Sequence, residues 1–157
     1  MKARWYILAL VLGCTAFAAH AQAEVRDQRR TLIGSEILGR GGLVTFNVEY
    51  FPTPRFGLGA GLLAAGNSDG GLFILPLYIS FVPGDVHSVY TGAGLSIFHG
   101  TDFGTDSDTV RIFTLSVGYQ FHSSGGLFVR PLFTLMSAPD EGDGAFIWPG
   151  MTIGGSF

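Results

Sequence analysis

The residues able to do chemistry are few, and most are acids. Asp102, Asp106 and Asp108 stand close together and could offer oxygen ligands to a hard divalent cation. Their spacing matches no standard calcium loop, so a solvated acidic loop is expected there and no metal site. Glu36, Glu49 and Arg130 lie in stretches otherwise poor in charge, so their surroundings decide whether they pair, gate a pore or meet water. His99 and Arg111 flank the acidic stretch. Cys14 is the only cysteine, which leaves neither a disulfide framework nor a thiolate metal site. No catalytic set and no cofactor site is read from these residues.

The whole chain bounds what such residues can do. Of 157 residues, 47% are hydrophobic and 13% charged, against roughly 25% charged in ordinary soluble domains. That excludes disorder. A net charge of −3, with no basic cluster beyond residue 30, excludes a nucleic-acid partner. Residues 1–23 read as a secretory signal peptide. Lys2 and Arg4 precede an apolar run from Trp5 to Ala19, and small residues set cleavage after Ala21 or Ala23. The run is shorter than the ~20 residues of a spanning helix. Without Lys2 and Arg4, seven arginines face twelve acids. Residues 24–30 form a short polar tail.

From residue 31 onward the pattern has period two, the mark of strands with two unlike faces. In 43–51, Val44, Phe46, Val48 and Tyr50 oppose Thr45, Asn47 and Glu49. In 56–63, Phe56, Leu58, Ala60 and Leu62 oppose Gly57, Gly59 and Gly61. Similar alternation marks 31–39, 88–98, 110–121, 127–136 and 146–157, while 72–82 is apolar on both faces. Breakers such as Arg40-Gly41-Gly42, Pro52-Thr53-Pro54 and Pro83-Gly84-Asp85 separate them. Eight strands result, near the ~9–11 residues of transmembrane β-strands.

A secreted β-sandwich would alternate too, but its solvent face would carry Lys, Glu and Asp. Here the second face is Gly, Ser, Thr, Asn and Gln with isolated charges. Such a face suits a cramped interior, with the apolar face turned to lipid. The expected fold is all-β: a closed, antiparallel, up-and-down transmembrane barrel over 31–157, its interior just filled by side chains. Glycines would make room there for Tyr78, Tyr90, Phe128 and Trp148. The third, fifth and seventh connections look longest and hold most acids, which places them outside the cell and both termini in the periplasm. By parity Glu36, Glu49 and Arg130 point inward, so Arg130 is expected to bond Glu36, Glu49 or both. Arg111 faces lipid near the outer rim, where it can snorkel to a phosphate.

Several strings carry a resemblance. Tyr50-Phe51-Pro52, Phe56-Gly57-Leu58-Gly59-Ala60-Gly61, Tyr90-Thr91-Gly92-Ala93-Gly94-Leu95, Val117-Gly118-Tyr119-Gln120-Phe121 and Gly125-Gly126-Leu127-Phe128-Val129-Arg130 appear in order along 31–157. In this the chain resembles the small eight-stranded outer-membrane β-barrel proteins. Phe157, after Ile153 and Met151, resembles their C-terminal assembly signal, which implies the barrel-assembly machinery as a partner during biogenesis. The resemblance implies fold and location, not an activity. His122-Ser123-Ser124 resembles the His-x-Ser of lipid A deacylase barrels, but it falls at a short turn, and Gly125 stands where those enzymes carry Asn. His99 near Asp102 resembles palmitoyltransferase barrels, yet residues 24–30 are too short and polar for their amphipathic helix. The expected role is therefore structural or interactive. The barrel is a monomer in outer-membrane lipid whose acidic loops meet lipopolysaccharide, divalent cations or a partner. A narrow pore or hydrophobic-solute conduit is the alternative, and a lipid A-modifying hydrolase or acyltransferase the second.

Overall fold

The computed structural model describes residues 28–67, 70–102, 107–138 and 144–157. The expected signal peptide and the first part of the tail lie outside them. Eight strands follow one another: β1 (Thr31–Leu38), β2 (Val44–Tyr50), β3 (Phe56–Asn67), β4 (Gly70–Phe81), β5 (His87–Asp102), β6 (Ser107–His122), β7 (Leu127–Ser137) and β8 (Ala145–Ser156). Each pairs antiparallel with the next. β1 closes the ring on β8, from Leu32 opposite Ser156 to Leu38 opposite Gly150. Closure leaves no sheet edge, so every strand finds a ladder on both sides.

The two faces separate as the alternation predicts. Ile33, Phe46, Val48, Leu58, Ile79, Leu115, Phe133 and Ile147 stand exposed on the outer surface. Thr45, Asn47, Glu49, Ser80, Ser96, Thr114, Gln120, Arg130 and Thr152 are buried inside. This is the reverse of a water-soluble protein. The inward glycines supply volume. A Cβ on Gly59 would collide with the Tyr78 ring, one on Gly92 would come within 2.8 Å of the Tyr90 hydroxyl, and one on Gly154 within 2.7 Å of Phe128.

Strand lengths depart from expectation at one end. β3 runs to Asn67 and β4 begins at Gly70, while β5 reaches Asp102 and β6 begins at Ser107. The third and fifth connections, expected to be long loops, are largely strand. Polar residues there signalled exposure to water, but ladder hydrogen bonds continue wherever backbones stay paired. The end away from the termini is therefore raised by the β5–β6 hairpin.

The other end is closed from within. Leu32, Phe51, Val82, Tyr90, Phe128 and Leu132 form one buried apolar cluster. The backbone of Phe51 donates to the Arg30 carbonyl (2.8 Å), and that of Val82 to the Arg55 carbonyl (2.8 Å). These bonds extend the β1–β2 and β3–β4 ladders by one residue each and hold Phe51 and Val82 at that end.

Candidate functional site

One rung of the barrel positions two of the charged residues of the lumen, Glu36 and Arg130. Glu36 on β1 is the register partner of Thr152 on β8, and Thr152 is the partner of Arg130 on β7. Thr152 Oγ1 donates to Glu36 Oε2 (3.2 Å). Arg130 does not take Glu36. It reaches across the lumen to Glu49 on β2, with Nη2 at 2.7 Å from Oε2. Its Nε and Nη2 also donate to Gln120 Oε1, at 3.0 and 2.6 Å. The Ser80 hydroxyl donates to the other oxygen of Glu49. All three expected lumen residues are buried, and the structure brings two of them together.

Glu36 is taken by a residue the alternation could not reveal. After Leu38 the chain makes a single 3-10 turn, Gly39–Gly41, that folds into the barrel and is wholly buried. It packs on β4, β7 and β8, and Gly150 offers the hydrogen-only surface against which Gly39 rests. The turn carries Arg40 inward. Its guanidinium pairs with Glu36, with Nε at 3.1 Å from Oε2, and its backbone N–H donates to Oε1 (2.7 Å). Arg40 thus meets Glu36 from side chain and main chain together. Its carbonyl accepts from Ser96 Oγ (2.9 Å). The sequence marks Arg40-Gly41-Gly42 only as a breaker; of the partners expected for Arg130, Glu49 is the one it bonds, and Glu36 goes to Arg40.

Entry into the turn is strained. Leu38 sits at φ 60°, ψ −147°, a region that residues bearing a Cβ rarely occupy. Gly39 and Gly42 follow at φ 73° and 70°, where glycine carries no penalty. A Cβ on Gly39 would approach Glu36 Oε1 to 2.6 Å. The backbone holds this conformation because the ion pair and the lumen wall together fix it.

Two tyrosines join the pairs into one network. The Arg40 guanidinium carbon lies 3.5 Å over the Tyr78 ring, and Nη1 donates to the Tyr90 hydroxyl (2.9 Å). Arg130 lies 4.0 Å over the face of that same Tyr90 ring. A ring face attracts a cation most where water is excluded. Two carboxylates and two guanidiniums leave this core without net charge, and it spans the lumen.

The other sequence candidates scatter. His122 is buried, and its Nε2 lies 2.6 Å from Ser156 Oγ, which donates in turn to the Gly126 carbonyl. Ser123 Oγ instead accepts from the Leu127 backbone N–H, stapling the β6–β7 turn. Ser124, the serine of the deacylase-like string, is exposed in that turn, while His122 is buried against Ser156. His99 Nδ1 lies 2.8 Å from Thr109 Oγ1 across the β5–β6 ladder. Arg111 points outward, opposite Ile97. Asp106 lies outside the described residues. Phe157 is exposed, and its backbone exchanges two hydrogen bonds with Thr31, at 3.1 and 2.8 Å.

A closed eight-stranded barrel with apolar residues outside and a neutral ionic core inside belongs to the architectural class of transmembrane barrels. Among solved structures the chain is similar to the N-terminal β-barrel domain of OprF from Pseudomonas aeruginosa. The two are 16% identical with a TM-score of 0.57, over 82% of this chain and 96% of that one. Ail, the attachment invasion locus protein of Yersinia pestis, aligns at 13% identity and a TM-score of 0.44, over 81% of this chain and 92% of its own. At 16% identity the likeness to the OprF domain is one of fold. No family model matches the chain, and no curated protein matches it in sequence.

Proposed function

We propose that the chain is a bacterial outer-membrane barrel with a structural or interaction role, a monomer whose lumen is filled and whose partners meet its rims. The observation that carries this reading is the inverted sidedness, with large apolar side chains outside and both ion pairs within. Lipid is the solvent that makes such an arrangement favourable, and it requires a closed sheet. The acid-bearing β5–β6 hairpin and the acids of the connections belong to the outer side, where lipopolysaccharide, divalent cations or a protein can meet them. The termini, with Arg29, Arg30 and Arg55, belong to the periplasmic side. Phe157, directly after β8, serves the assembly machinery as its aromatic signal.

Expression with residues 1–23 in place tests this. The protein is expected in the outer-membrane fraction, migrating faster on gels before heating than after. Recovery as a soluble periplasmic protein would sink the proposal.

A further inference from the structure

We propose that the outer face of β3–β6, at the rim away from the termini, is a docking site for a phosphate-bearing glycolipid of the surrounding leaflet. This rests on the membrane placement proposed above. Arg111 and His99 hold the phosphate, and one acyl chain lies along β5.

The outer face is apolar over most of its area, and Arg111 interrupts it. It is exposed, its register partner is Ile97, and the next outward residue on β6 is Phe113. Among the described residues it meets no carboxylate. A guanidinium on a lipid-facing surface draws an anion, and at the rim the anion at hand is a headgroup phosphate. His99 is its diagonal neighbour on the same face, one rung nearer the rim, at the roughly 7–8 Å that long side chains bridge. His99 Nδ1 lies 2.8 Å from Thr109 Oγ1; in the proposed site that hydroxyl donates to Nδ1, which leaves the ring proton on Nε2 as a second donor. Two donors of unlike reach then converge on one small group, as a phosphate requires.

The surface is hollow beside His99, on the side away from Arg111. A shallow depression of about 390 Å³ is lined by Ala64, Gly66, Gly71, Phe73 and His99. Further down the same strands a second depression of about 460 Å³ runs over Leu77, Ala93, Leu95 and Phe113. From His99 to Ala93 the strand descends about 20 Å, comparable to an extended acyl chain. Along that path the outward side chains of Ile97 and Leu95, with Leu75 and Leu77 beside them on β4, give a continuous apolar strip that ends at the second depression. Headgroup donors above a narrow apolar strip fit one lipid molecule better than a folded partner, which would need a broad flat face.

The full chain, inserted into phosphatidylcholine nanodiscs doped with diphosphoryl lipid A or with its dephosphorylated form, decides the matter. Insertion is scored first by heat-modifiable migration, and bound lipid is then read by native mass spectrometry. The expected result is one retained diphosphoryl lipid A per barrel and little of the dephosphorylated form. Retention should fall about tenfold in Arg111→Gln/His99→Ala and stay unchanged in Arg55→Gln at the opposite rim. Equal retention of both lipids, full retention by the double variant, or a dimer seated on this face would overturn the docking site while leaving the barrel intact. A chain that does not insert would overturn both proposals.

Discussion

At the scale of the residue, the lumen shows why isolated charges persist in an interior this dry. Each guanidinium has a carboxylate, an aromatic face and a neutral hydrogen-bond partner, so desolvation is met on every side. Removing one partner strands the other. Arg40→Met, Glu36→Gln, Arg130→Met and Glu49→Gln should each destabilise the barrel by about 3–5 kcal/mol, measured by urea unfolding in lipid vesicles, while each matched double variant should cost much less. The pairing pattern predicts which doubles rescue. Arg40→Met should be relieved by Glu36→Gln and not by Glu49→Gln. Additive losses in the matched doubles would show that the pairs contribute no mutual stabilisation. The sequence held a signal for Arg40 that parity reading passed over. Two inward acids against one inward arginine leave a negative charge unmatched, and the nearest candidate cation stands four residues beyond Glu36 in a glycine-flanked segment.

At the scale of the element, the faces were legible and the ends were not. Side-chain alternation reports burial residue by residue, so Thr45, Asn47 and Glu49 on β2 and Gly57, Gly59 and Gly61 on β3 point inward as their pattern requires. Strand termini depend on whether two backbones remain paired beyond the apolar belt, which no single segment encodes. That is why β5 and β6 outrun their apolar stretches. The turn at Gly39–Gly41 was illegible for another reason: glycine marks a bend, but only the surrounding wall decides whether the bend turns outward or in. The final strand makes a separate expectation. Phe157 contributes an exposed ring and a two-bond closure onto Thr31. Deleting it should slow insertion in cells markedly while export proceeds, visible as periplasmic accumulation in a pulse-chase. Normal assembly of the deletion would place the recognition signal elsewhere.

At the scale of the whole molecule, the barrel is closed twice, by the ionic network in its middle and by the Phe51–Val82–Phe128 cluster near the termini. Planar bilayers containing the protein should therefore show no steady conductance. A sustained open level would favour the conduit reading over the structural one. The two ion pairs also differ in how far apart their members lie along the chain, and this bears on the order of assembly. Glu36 and Arg40 are 4 residues apart, so their contact forms as soon as the first hairpin does. Glu49 and Arg130 are 81 residues apart, on strands that face each other only in a finished ring. Contacts of that separation form late, because the intervening chain must first be ordered. A half-built sheet would thus carry its first charge already neutralised and its second still open to water. Neutralising that second charge coincides with the ring's completion, so the pair acts as a latch that only a full circumference can throw.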